Sequence, residues 1–279
     1  MKNKYIITLV LAVIIGLLGA RIFYGRDNTK REGLPAVTST TTVAKIPAGK
    51  KRVTVGGITY ITDATNTAGI IIEQVPTELP KPIPALNTVV TFSATANISP
   101  EAQKIIKIQI FELVNKLKLH PEVASNWLSL GLYRKMGADY ASAKIAWEYA
   151  KRLQPNDIQA YSSLGELYQY YMKEYPESEL NWKKSIEIDK KFIIGYRNLF
   201  VLYTTFMKNP TQGKLILDAG LRANPESIDI LVLLAQYYRD HGQTSLSRTN
   251  FEKALVQAKR QKENQNLVPQ IQAEIDNLR

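Results

Sequence analysis

Residue types able to do chemistry are sparse in this chain. Cysteine is absent, which excludes disulfides, thiolate metal sites, a cysteine nucleophile and a lipid-modified cysteine anchor. The only histidines are His120 and His241. His120 sits before Pro121 in a connector. His241 precedes Gly242 in a hairpin turn, where capping a helix C-terminus is its simplest role. The stretch AKIPAGKK, Ala44 to Lys51, approaches a phosphate loop but has Ala for the first Gly and Lys51 where a Ser or Thr would bind magnesium. No strand and helix bracket it, so it lacks the context that gives the motif its meaning. The patterns G-x-S-x-G, H-E-x-x-H and G-x-G-x-x-G do not occur, and no two carboxylates pair at an identifiable site. No catalytic residue, metal site or cofactor is expected, and the chain reads as a non-enzyme.

The formal net charge of the 279 residues is +11. Residues 1–31 hold six Lys or Arg and one acid, so nearly half of that charge lies in a tenth of the chain. Basic residues beside an apolar segment suit lipid headgroups. Nucleic-acid binding needs a basic stripe on the folded domain itself. Only short basic pairs occur there (Lys183–Lys184, Lys190–Lys191, Lys259–Arg260), as on a solvated helix face, so nucleic acid is not an expected partner.

Three zones must position whatever site exists. Residues 1–31 form the first, with the uncharged run YIITLVLAVIIGLLGA from Tyr5 to Ala20. Extended to Tyr24, with Arg21 snorkelling, it rises roughly 30 Å as a helix, enough to span a bilayer. A single-pass membrane anchor at residues 5–24 is expected, with the remainder exported; a cleaved signal peptide and a secreted product is the alternative. Residues 32–98 form a Thr- and Pro-rich linker. Within it, RVTVGGITYIT reads as a β-hairpin about Gly56-Gly57, and Ile70–Ile72 as a third strand. VPTELPKPIPAL reads as extended, and NTVVTFSA as a short strand or a strap on the first helices. From residue 99 onward the chain reads as helical hairpins. Ser99-Pro100-Glu101 starts a flanking helix over 99–123, with Ile105, Ile106, Ile110, Phe111, Val114 and Leu117 as its apolar face.

The decisive feature is self-similarity. Trp127, Leu130, Gly131, Ala143, Trp147, Ala150 and Pro155 make a first copy. The second runs Tyr161, Leu164, Gly165, Tyr168, Ser178, Trp182, Ser185. The third runs Tyr196, Leu199, Phe200, Tyr203, Gly213, Leu217, Gly220, Pro225. The fourth runs Leu231, Leu234, Ala235, Tyr238, Ser247, Phe251, Ala254. The opening residues are 34, 35 and 35 positions apart. This resembles the tetratricopeptide repeat (TPR) family. The resemblance implies an all-α solenoid, a right-handed superhelix of helical hairpins, here preceded by a transmembrane helix and a partly β linker. The repeats are assigned to 124–157, 158–192, 193–227 and 228–261, with a capping helix over 262–279. Three departures stand out. Arg134 replaces the usual Tyr of the first repeat, Phe200 replaces a small residue in the third, and repeats two and three carry an extra residue, placed in their inter-helix turns around KEYPES and KNPTQ.

The resemblance further implies a concave groove lined by the first helix of each hairpin, binding a protein or peptide. The lining trios are Leu128, Leu132 and Lys135; Ser162, Glu166 and Gln169; Arg197, Val201 and Thr204; and Val232, Gln236 and Arg239. Each trio lies on one helix face. Lys135, Arg197 and Arg239 are candidates to pair with acidic groups of a partner. The function read from this is a membrane-tethered scaffold. The alternatives are an accessory subunit or enzyme with an unrecognised site, and nucleic-acid binding through basic surface.

Overall fold

The computed structural model describes residues 50–55, 58–63, 73–75, 79–90, 92 and 97–278. The apolar run at residues 5–24 lies outside them. Among the described residues no helix is long and apolar enough to cross a membrane.

The β signals in the linker are realised. Strand β1 (Lys50–Val55) pairs antiparallel with β2 (Ile58–Asp63), with Val55 opposite Ile58 across Gly56-Gly57. A third strand, β3 (Glu73–Val75), pairs antiparallel with β2 just beyond the expected Ile70–Ile72. Lys50 and Lys51 therefore open a strand and not the helix a phosphate loop requires. Residues 79–90 and Phe92 form a strap without regular secondary structure, with a bend at 81–82.

The helices begin with α1 (Pro100–Leu119), where Ser99 Oγ accepts from the amide of Ala102, and His120 caps its end. Its buried face is Ile106, Ile110, Leu113, Val114 and Leu117. Ile105 and Phe111, expected on that face, are exposed; as the terminal helix of the stack α1 buries one stripe, and these two fall outside it. Four hairpins follow: α2 (Ala124–Met136) with α3 (Tyr140–Leu153), α4 (Ile158–Glu166) with α5 (Tyr175–Ile188), α6 (Ile193–Val201) with α7 (Pro210–Ala223), and α8 (Ile228–Asp240) with α9 (Thr244–Arg260). A 3₁₀ segment (Lys262–Leu267) leads to α10 (Val268–Asp276), whose Ile271 and Ile275 bury against α8 and α9.

Within each hairpin one large side chain meets one small residue. The Trp147 ring covers Gly131 so closely that a Cβ there would overlap it. Trp182 covers Gly165 in the same way. In the third hairpin the sizes are exchanged: Phe200 on α6 faces Gly213 on α7. That exchange explains the tolerance of Phe200 at a position where other repeats have a small residue. Between hairpins, the opening aromatic ties down the loop behind it. Trp127 Nε1 donates to Pro121 O at 2.8 Å, and the Tyr161 and Tyr196 hydroxyls donate to Pro155 O and Lys190 O at 3.1 Å each. Hairpins so joined share a continuous core, which no single hairpin could form.

Candidate protein-binding face

All four hairpins turn the same way. A residue with positive φ (Ala138, Lys173, Lys208 or Gly242) immediately precedes the cap of the second helix. The amide of that cap residue then reaches back to a carbonyl in the first helix. Asp139 bonds Arg134, Glu174 bonds Tyr168, Asn209 bonds Tyr203 and Gln243 bonds Tyr238. The bond spans five residues in repeats one and four and six in repeats two and three. The extra residue of the 35-residue repeats is therefore not in the inter-helix turn. It is taken up inside the first helix, where Leu167–Met172 and Leu202–Phe206 form wide π turns continuing α4 and α6. A π turn absorbs one residue while leaving the helix on both sides in register with its neighbours.

This shifts the candidate trios. Gln169 is fully buried, and its Oε1 accepts from Trp182 Nε1 at 2.9 Å, so it faces its own hairpin. Thr204 likewise faces inward: its Oγ1 donates to Phe200 O at 2.8 Å and its methyl lies against Gly213. Counted back from the positive-φ residue, the equivalents of Lys135 and Arg239 are Tyr170 and Thr205. The π turns are the physical reason that an even count along the helix fails there.

The other candidates fall as follows. Leu128 is half-buried between the cores of the first and second hairpins, and Leu132 is 45% exposed. Ser162, Glu166, Arg197, Val201 and Gln236 are half-exposed, and Val232 packs partly against the last core. Two of the three candidate cations are already paired. Lys135 bonds Glu166 at 2.9 Å, joining the first two trios, and Arg239 bonds Glu274 of α10 at 2.6 Å. Arg197 makes no ion pair among the described residues. His241 caps α8, with its Nδ1 2.7 Å from Tyr237 O, and His120 lies 3.3 Å from Glu122. Among the described residues no cluster of His, Asp and Glu could hold a metal ion.

The motif tyrosines face the preceding hairpin. The Tyr168 hydroxyl donates to Glu148 and Lys144 lies over its ring; the Tyr203 hydroxyl donates to Glu179 at 2.7 Å; Lys214 lies over the Tyr238 ring. Burial, and then the charge of Glu148, push the Tyr168 hydroxyl well above the ordinary phenol range, so it remains a donor. Burial opposes ionisation of Glu179, but its bonds from Lys183 and Tyr203 outweigh that and hold its carboxyl below the usual range.

Arg134 breaks this pattern because its neighbour is the strap. It is 4% exposed, donates to Val89 O at 2.6 Å and to Asn87 O, and pairs with Asp139 at 3.0 Å. Arg152 donates to Lys81 O and Pro82 O at 3.2 and 3.1 Å. Leu79, Leu86, Val90 and Phe92 pack on the core shared by α1, α2 and α3. The strap thus runs antiparallel to α3, from its C-terminal end at Arg152 to its N-terminal cap at Asp139. A strap on the first helices, one of the two expectations for residues 87–94, is thus found at 87–90 and Phe92, and Arg134, a departure from the repeat, is what grips it.

No family model matches the chain, and no curated protein does. Among solved structures it is similar to MamA, at 17% identity and a TM-score of 0.47, over 58% of this chain and 96% of that one. It is similar to TTC0263, a thermophilic TPR protein in Thermus thermophilus, at 15% identity and a TM-score of 0.43, over 62% and 93%. It is also similar to YrrB, a TPR protein with an unusual peptide-binding site, at 13% identity and a TM-score of 0.42, over 60% and 92%.

Proposed function

We propose that this chain is a scaffold that holds a protein partner on the exposed face of its first helices. The observation that carries the proposal is the row of half-exposed side chains repeated on four stacked helices: Leu132, Glu166, Val201 and Gln236, one per repeat. A row of this kind, renewed at each hairpin, contributes little to the fold and offers a continuous surface to an extended or helical segment. The site is a peptide groove and not a catalytic one. Residues 5–24 would tether the scaffold to a bilayer, with the repeats exported; the length and apolarity of that run support this part of the proposal.

Site-specific photo-crosslinking in intact cells tests the reading. A photoreactive residue at Leu132 or Val201 should give a discrete partner adduct, whereas one at Leu180, exposed on a second helix, should not. Equal adducts at all three positions, or none at the first two, would refute the groove. Protease accessibility of the repeats in intact and lysed cells tests the exported orientation.

A further inference from the structure

The ends of the first three hairpins carry two groups of packed aromatic rings. Tyr140 and Tyr175 open α3 and α5, while Tyr170, Tyr171 and Phe206 stand in the π turns. Tyr140 packs on Tyr171 at 4.7 Å between ring centroids, and Tyr175 on Phe206 at 5.3 Å. The same contact, an opening ring on a π-turn ring of the next hairpin, is thus made twice. Tyr170 meets Phe206 edge-on at 5.6 Å, and its chain neighbour Tyr171 belongs to the other set. Tyr170 and Tyr171 are each 41% exposed.

The rings belong to the π turns. At the equivalent places, the first repeat has Lys135 and Met136 and the fourth has Arg239 and Asp240, with no aromatic. An inserted residue that buries one side chain, Gln169, and leaves two tyrosines partly exposed adds surface for recognition. π turns recur at functional sites for this reason. Charge around the rim is partly satisfied: Lys135 bonds Glu166 while lying 5.7 Å from the centre of the Tyr171 ring, and Lys144 is 3.7 Å from Glu174. Arg197, Lys173 and Lys208 make no ion pair among the described residues, and Arg197 stands close enough to Tyr170 for its charge to act on that hydroxyl.

We propose that this rim holds an extended, proline-containing acidic segment of a partner protein, its prolines seated on Tyr170 and Tyr171 and an acidic side chain on Arg197. The inference rests on the groove reading above and narrows it to one class of ligand. A polyproline II segment loses little entropy on binding and leaves its carbonyls free, so it suits rings that carry hydroxyl donors. Arg197 selects for negative charge.

The test uses the full-length chain in detergent micelles and fluorescein-labelled probes read by anisotropy. The probes are four-fold repeats of Pro-Pro-Glu, Gly-Gly-Glu and Pro-Pro-Lys. Pro-Pro-Glu should bind about tenfold more tightly than either of the others. The double variant Y170A/Y171A should lose about tenfold in affinity for it, and Y170F/Y171F, which keeps the rings, should lose only about threefold. R197E should abolish the preference for Glu over Lys. Equal binding of Gly-Gly-Glu, no binding of any probe, or an unchanged affinity in Y170A/Y171A with native circular dichroism would each overturn the proposal. Partner adducts at Leu132 and Val201 without Pro-Pro-Glu binding would sink this inference alone and leave the groove standing.

Discussion

Deleting one residue from the third repeat should cost almost nothing if it is taken from the π turn. Removal of Thr205 would shorten the bond from Asn209 N to Tyr203 O from six residues to five, the span already used in repeats one and four. The helix before the π turn and the turn after it would keep their faces. Thr205 is half-exposed, so little burial is lost. Leaving out one ordered residue also spares about 1–2 kcal/mol of backbone entropy. The net change in stability should lie within about 1 kcal/mol of zero. Removal of Gln236 from α8 has no such outlet. That helix has no π turn, so everything beyond the deletion would rotate by about 100° and advance about 1.5 Å. The Tyr238 ring would leave Lys214, and the hairpin turn would no longer meet α9. A loss of about 3–5 kcal/mol is expected, the scale of a disrupted core. Urea titration followed by the fluorescence of Trp127, Trp147 and Trp182 measures both. If the Thr205 deletion proves as costly as the Gln236 deletion, the π turns are demanded by packing and are not the place where the extra residue is absorbed.

Three further outcomes follow from the same contacts. Gly165→Ala places a Cβ 2.7 Å from the ring of Trp182, which is held in place by its bond to Gln169; overpacking should outweigh the helical gain of alanine and cost about 2 kcal/mol of stability in urea titration. Arg134→Met removes the donors to Val89 O, Asn87 O and Asp139, and should destabilise by about 2–4 kcal/mol while opening residues 79–90 to limited proteolysis; an unchanged cleavage pattern would mean that the strap is held by its apolar contacts alone. The carboxyl of Glu179 sits below its ordinary range, so it contributes stability above that range and loses it as pH falls through the folded value. Glu179→Gln should therefore destabilise at pH 7, with the difference from wild type shrinking as pH falls below the ordinary carboxylate range, as read from paired urea curves.

The hairpin organisation was legible because its signal is long-range. Four copies of one aromatic and small-residue pattern cannot be confused with an isolated amphipathic helix, and each copy constrains the others. The β-hairpin was legible from Gly56-Gly57 between β-branched runs. Two features were not. The count of 35 showed that a residue had been inserted in repeats two and three, but placing it requires the backbone bonds, since a π turn and a lengthened loop have the same sequence length. Gln169 and Thr204 were assigned to the groove for that reason, and Tyr170 was left off it. The pairing of Arg239 with Glu274 was also hidden, because it joins residues 35 apart through the packing of α10.

Departures from the repeat carry more functional information here than agreement with it. Where the motif holds, as at Tyr168, Tyr203 and Tyr238, the side chain faces the preceding hairpin, and the same contact would serve any chain of this fold. Where it fails, the side chain faces something particular to this one. Arg134 lacks a preceding repeat to stack on and grips backbone carbonyls of the strap, which joins the linker to the first hairpin. Phe200 is balanced by Gly213 and so carries no message beyond packing. The inserted residues bury Gln169 and turn Tyr170 and Tyr171 toward solvent, leaving the fold of the hairpins intact while changing what their ends present. A departure that is compensated within its own hairpin is structural. One that leaves half-exposed rings at the hairpin ends has no such compensation, and it is there that we propose a ligand sits.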